Sequence, residues 1–245
     1  MYYINPEKEF KTLDIRGYLT NNLDDPNYRS LVFRPEHNFH FETTLVNWCR
    51  STFMSPDKDF VDIGAHIGTW SWGSAADVNM THSFECNSHV YNLLCANIYL
   101  KNLSHKIKTY NCGLSNKGTG TMTYFKRGGD GGGNGLTELR PSDTDTEKVE
   151  VNVCRLDDFN LDNVGFLKID VEGHEREVLE GALETLKRNN YPTFTFESWA
   201  PWRDDEGQCP ARKLRAELFE YIESIGYKVI SVNGWDEQFI AEYVR

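Results

Sequence analysis

Short apolar runs at 60–63, 81–85, 107–112, 164–169 and 193–197 punctuate the chain, and most are separated by segments whose apolar residues recur at helical spacing. Strand-length runs alternating with helices predict a parallel, doubly wound α/β sheet. After Ser88, placed as an N-cap, Val90, Leu93, Leu94 and Ile98 mark one helix. Val178, Leu179, Ala182, Leu183 and Leu186 form the stripe of a second, read as continuous over 175–186. Its early Glu175 and Glu177 and late Lys187 and Arg188 suit the helix dipole. Further helices are expected over 42–53, with Leu45, Val46 and Cys49 on one side, and over 211–224, stopping at Gly226. The last two runs, 227–232 and 238–243, are joined by Asn233-Gly234-Trp235-Asp236, a strong hairpin signal. A parallel sheet that ends in an antiparallel hairpin departs from an all-parallel dinucleotide fold.

Between Cys112 and Val164 the alternation breaks. Strands over 118–125 and 149–153 flank a segment in which Gly128 to Gly135 is glycine apart from Asp130 and Asn134. No Gly-Lys-Ser/Thr closes it, so it is not a phosphate-binding P-loop. A lid or acceptor loop is favoured over a passive linker, given its size inside a compact domain. Residues 1–41 are polar and irregular, with turn signals at Asp25-Pro26 and Arg34-Pro35. The expected organisation is an N-terminal extension over 1–41 and one domain over 42–245, with a glycine-rich inserted loop at about 126–148.

Composition narrows the partners. The net charge of −11 argues against nucleic acid, whose phosphates need neutralising cations. Lys101, Lys106 and Lys108 are read as a solvated face. No run approaches the roughly 18 apolar residues of a membrane span. The N-terminus lacks the basic and apolar regions of a secretory signal, so a cytoplasmic protein is expected. The six cysteines form no C-x-x-C pair and are read as free thiols. His37 and His40 have metal-ligand spacing but no evident third ligand.

The candidate chemistry begins at Asp62-Ile63-Gly64-Ala65-His66-Ile67-Gly68, a glycine-bearing turn after the first strand. The acid Glu85 ends the next strand about 20 residues later, the spacing of a residue that accepts ribose hydroxyls. A dinucleotide G-x-G-x-x-G fingerprint starting at Gly64 would place glycines at His66 and Thr69, so that match fails. The pattern present is Asp-x-Gly-x-x-x-Gly, the form used by S-adenosylmethionine-dependent methyltransferases. The second constellation is Lys168-Ile169-Asp170-Val171-Glu172-Gly173-His174. Phe166, Lys168 and Asp170 share a strand face. A lysine between apolar neighbours in a central strand requires a charged partner, Asp170 or Asp62. Glu172 follows at the carboxyl edge, where open α/β sheets bind ligands.

These runs, VDIGAHIGTW, FECN, NCGLSNKGTG, RLDDF and LKIDVEGHEREVLEGA in that order, closely resemble the FkbM family of class I methyltransferases. The similarity covers roughly 42–197. It implies an α/β, Rossmann-like class I methyltransferase fold: a seven-stranded, mostly parallel sheet with an antiparallel C-terminal hairpin. It also implies O-methylation, with S-adenosylmethionine as donor, of a hydroxyl on a sugar, glycan or related small molecule. By resemblance, Asp62, Gly64, Ala65, His66 and Gly68 hold the donor's amino-acid portion. Glu85, with Cys86 beside it, takes the ribose; Cys112, Gly113 and Leu114 border the adenine; Asp170 lies near the amino group and sulfonium. His66 replaces the family's common Asn, and Cys86 its Pro.

A hydroxyl acceptor must lose its proton. Glu172 and His174 rank level as bases, then Glu197, with Asp170 also a candidate. Asp170, Glu172 or Glu197 could instead hold Mg, the ion that activates hydroxyls in sister methyltransferases. Trp199 and Trp202 either stack on a sugar or pack their loop; Trp70 and Trp72 are read as core. The rival readings are a nicotinamide oxidoreductase, a non-catalytic donor-binding module, and a methyltransferase of a protein, a nucleic acid or a non-sugar small molecule.

Overall fold

The computed structural model describes residues 42–126, 134–138, 146–207 and 209–244. The expected extension over 1–41, with its turns and the His37/His40 pair, and most of the glycine-rich insert lie outside these residues. Helix α1 (Thr43–Phe53) leads into strand β1 (Asp59–Ile63), helix α2 (Thr69–Ser74), β2 (Thr81–Phe84), α3 (Ser88–Leu100), β3 (Ile107–Tyr110) and β4 (Gly113–Leu114). Two longer strands, β5 (Gly120–Lys126) and β6 (Glu147–Cys154), precede a 3-10 turn at Leu156–Phe159 and β7 (Val164–Ile169). Helices α4 (Glu175–Glu180) and α5 (Leu183–Arg188), β8 (Thr193–Glu197), α6 (Trp202–Asp205), α7 (Ala211–Ser224), β9 (Tyr227–Ser231) and β10 (Gln238–Tyr243) complete the order.

Seven strands form one sheet in the order β3-β2-β1-β7-β8-β10-β9. All neighbouring pairs are parallel except those of β10, which runs antiparallel between β8 and β9. The C-terminal hairpin expected from Asn233-Gly234 is present, with β10 inserted into the sheet. Strands β4, β6 and β5 form a separate three-stranded sheet.

Period-two alternation sorts the core onto two faces. Phe60 and Phe166 stack on one face, beneath Leu45, Val46 and Cys49 of α1. Val61, Ile63, Leu167, Ile169, Phe194 and Phe196 fill the other, against Val178, Leu179 and Ile222. Asp62 and Lys168 are register partners and share the first face with the phenylalanines. Burial of both faces explains why β1, β7 and β8 read as continuous apolar runs.

Two sequence expectations change. The helix read as continuous over 175–186 is two helices that part at Gly181, which lies against the backbone of Ser115: a Cβ there would come 2.4 Å from the Ser115 carbonyl oxygen. The Asp157 carboxylate then caps α5, accepting the Thr185 N–H at 2.7 Å and the Glu184 N–H at 3.2 Å. The N-cap of α3 is Asn87, which accepts from His89 at 3.0 Å, whereas Ser88 donates to Asn111.

Candidate active site

The carboxyl ends of β1, β2, β7 and β8 open onto a cleft of about 220 Å³. Along the sheet edge it changes character. Over β2 and β4 it is mostly apolar, with Phe84, Cys86, Leu114 and Tyr124. Over β1, β7 and β8 it is acidic, with Glu42, Asp170, Glu172 and Glu197.

The glycine turn closes the end of β1. Gly64 (φ +75°), His66 (φ +51°) and Gly68 (φ +95°) all adopt left-handed backbone. At Gly64 a side chain is also excluded by space, since a Cβ would come 1.8 Å from the Asp170 carbonyl oxygen. Among non-glycine residues a positive φ is most often taken by Asn, Asp and His, and His66 is one of these. Gly64, Ala65 and His66 line the cleft. Asp62 does not: it is fully buried beneath the turn, hydrogen-bonded by Ser71.

Lys168 ties this layer together. Its Nζ donates to the Gly64 carbonyl at 2.8 Å and lies 3.4 Å from Asp170 and 3.7 Å from Asp62. Both partners left open by the sequence are therefore engaged. Their charges, Asp170's the larger, outweigh the cost of burial and hold the lysine above its usual range. Burial pushes the Asp62 carboxyl up, and Lys168 opposes that shift.

Glu85, 7% exposed, spans two loops: it accepts the His66 N–H at 3.0 Å and the Asn87 N–H at 2.8 Å. Burial raises its pKa to about 7 despite those bonds. Cys86, Cys112, Gly113 and Leu114 all line the apolar part. The cleft cysteines are held as thiols, Cys86 by burial and Cys112 chiefly by its contact with Cys154.

Asp170, Glu172 and Glu197 converge, each offering a carboxylate oxygen within 4.8 Å of the others. Glu172 sits in left-handed backbone (φ +57°) before Gly173 (φ +89°). Glu175 fixes that turn by accepting the Val171 and Gly173 N–H groups, both at 3.1 Å. Burial, then the charges of Asp170 and Glu172, hold the Glu197 carboxyl well above the carboxylate range. Its Oε2 is buried without a hydrogen-bond partner among the described residues.

His174, ranked level with Glu172 as a base, is not among the cleft-lining residues. The tight turn at 172–173 carries it away from the cleft, where it contacts Ser115 at 3.1 Å and Glu177 at 3.6 Å. Burial lowers its pKa, so it fits a neutral packing residue. Trp199 is buried against Cys209 and Ala211, which resolves its alternatives toward packing, and Trp202 is 43% exposed. Trp70 is core, as expected.

Sequence reasoning missed Glu42, Tyr124 and the latch role of Glu175. Glu42 was placed only at a helix start, and Tyr124 only in a strand. Asn134, Gly135 and Leu136 of the glycine-rich insert also line the cleft, and Gly135 packs against Glu172.

Residues 62–229 match the Methyltransferase FkbM domain, more than half of the chain. The chain belongs to the FkbM methyltransferase family. Methyltransferase sdnD of Sordaria araneosa is 29% identical over 205 residues, covering 69% of this chain and 78% of that protein. An S-adenosylmethionine-dependent O-methyltransferase from Thermotoga maritima shares the fold, with a TM-score of 0.51 and 11% identity over 83% of this chain and 66% of that one. The FkbM methyltransferase of Methylobacillus flagellatus KT aligns with 97% of this chain at 18% identity and a TM-score of 0.49, and the chain spans 59% of that protein. The class I methyltransferase fold and the antiparallel terminal strands agree with the sequence expectation, and S-adenosylmethionine is the methyl donor that this family implies. No described helix is long and apolar enough to cross a membrane.

Proposed function

We propose that the protein transfers a methyl group from S-adenosylmethionine to a hydroxyl oxygen of a small-molecule or glycan acceptor. The observation that carries this reading is the convergence of Asp170, Glu172 and Glu197 at the acidic part of the cleft. An alcohol is a poor nucleophile at neutral pH and needs a group to take its proton. An amine is methylated with less help, and the Asn/Asp-Pro-Pro-Tyr/Phe motif typical of amino-group methylation is missing from the sequence. A sugar fits best, since its hydroxyls can both donate to carboxylates and accept from neighbouring groups.

In this reading the donor's adenine lies against Cys86, Cys112, Gly113 and Leu114, Glu85 receives the ribose, and Gly64 to Gly68 with Asp170 surround the amino-acid end. Asp62 supports that end from below through Lys168 and Ser71. When bound, S-adenosylmethionine supplies an electrophilic methyl on a good leaving group. The chain's own work is alignment and proton removal. Glu172 takes the acceptor proton. Glu197, held protonated by burial and by its acidic neighbours, donates a hydrogen bond beside it. Gly135, packed at Glu172, and its neighbours Asn134 and Leu136 border the acceptor's approach.

The same trio supports a metal-assisted variant. Three carboxylates with the buried, unpartnered Glu197 Oε2 form the oxygen-only donor set that suits Mg. Asp170, Glu172 and Glu197 would hold the ion, and its charge would lower the pKa of an acceptor hydroxyl.

The test is a donor-labelled methyl-transfer screen against a glycan panel with and without EDTA, on the natural chain and on Glu172→Gln. Turnover that survives EDTA and falls about 100-fold in Glu172→Gln supports the direct base. Turnover abolished by EDTA and restored by Mg selects the metal variant. Full activity of Glu172→Gln would overturn both.

A further inference from the structure

Glu42 lies outside the residues that match the family, directly ahead of α1, yet it forms part of the cleft wall beside Thr69, Trp70 and Lys168. It is 9% exposed, and its backbone is left-handed (φ +56°). Two elements fix its carboxylate. Trp70 Nε1 of α2 donates to Oε2 at 2.8 Å, and Gln238 Nε2 of β10 donates to Oε1 at 3.2 Å. Each oxygen keeps a further lone pair for another donor.

Among the described residues that line the cleft, the acids Glu42, Glu85, Asp170, Glu172 and Glu197 stand against a single lysine or arginine, Lys168. Lys168 is already engaged by Asp62, Asp170 and the Gly64 carbonyl. Glu42 has no ion-pair partner among the described residues, and burial with the Asp170 charge raises its pKa to about 7. A buried carboxyl held by two neutral donors, in a cleft wall that Asp170 and Glu172 also line, suits a cationic ligand group with several N–H donors. Its place near β1, β7 and β10, away from the apolar part over β2 and β4, restricts which end of a ligand it can meet.

We propose that Glu42 receives the α-ammonium of the methyl donor, so that the segment ahead of the family-matched residues completes the donor site. This rests on the reading of the cleft as the site for S-adenosylmethionine. Glu42 is thus a binding residue for the donor's amino-acid end, and Glu172 and Glu197 remain available to the acceptor.

The test is calorimetric binding of three ligands to the natural chain and to Glu42→Gln: S-adenosylhomocysteine, its analogue lacking the amino group, and 5′-methylthioadenosine. The natural chain should bind S-adenosylhomocysteine roughly 10- to 100-fold more tightly than the desamino analogue, the scale of a charged hydrogen bond. Glu42→Gln should lose most of that preference while binding 5′-methylthioadenosine unchanged. If Glu42→Gln keeps the full preference, or weakens all three ligands equally, the role of Glu42 is refuted. If the natural chain binds none of the three, it is the donor reading that fails.

Discussion

Lys168→Met tests the buried charge layer most directly. The lysine is 5% exposed and Asp62 is fully buried, so neither charge can be relieved by water. Removing the ammonium leaves Asp62 without its counter-charge, and its Oδ1 already has no hydrogen-bond partner among the described residues. It also removes the donor to the Gly64 carbonyl. Breaking a buried ion pair by deleting one partner costs about 3–5 kcal/mol, because an uncompensated charge remains. For a chain of this size that is a fall in Tm of roughly 6–20 °C. Adding Asp62→Asn to Lys168→Met removes the stranded charge and should recover about half of the loss. The lysine's folded pKa is raised, so its contribution is fully present below its ordinary 10.5 and fades only as pH rises past the folded value. Thermal unfolding at pH 7.5 therefore reads the whole effect. A loss below about 1 kcal/mol in Lys168→Met, or no recovery in the double variant, would refute the charge-layer account.

Gly64→Ala should lose at least about 2 kcal/mol and abolish donor binding, since it combines positive-φ strain with a clash against the Asp170 carbonyl. Gly118→Ala, with a similar φ and open space, should lose only about 1 kcal/mol in the same thermal melts. Glu85 ionises at an ordinary 4.5 when unfolded and at about 7 when folded, so the native state binds the extra proton between those values. Ligand-free stability should therefore decline as pH rises from 4.5 to 7, by up to about 3 kcal/mol from this group, and level off above. Glu85→Gln should reduce that slope in urea titrations, with Glu42 and Glu175 supplying the remainder over the same window; an unchanged slope would contradict the assignment.

Much of the sheet was legible because its signals are local. Apolar runs of strand length, the Asn233-Gly234 turn and the Asp62-to-Gly68 glycines each reflect backbone chemistry that needs no distant partner. The close approach of Gly181 to the backbone of Ser115, at the break between α4 and α5, was not legible, because Ser115 is far away in sequence. Asn87 and Ser88 are both good caps, and only the position of Asn111 draws Ser88 away. His174 lies outside the cleft lining for a related reason: adjacency in sequence to Glu172 says nothing of direction once the chain turns through two positive-φ residues.

By itself, the sequence determined the α/β class, the turn that bounds the cleft, the acid at the end of β2 and the need for a charged partner at Lys168. Those follow from periodicity, from glycine's backbone freedom and from the cost of burying an unpaired charge. Only the tertiary structure decided which carboxylates meet. Asp170, Glu172 and Glu197 come together because β7 and β8 are neighbours in register. Glu42 joins the cleft because Trp70 and Gln238, from two other elements, hold it there. Long-range packing sets side-chain direction at a site, and that information is not written in any one segment of the chain.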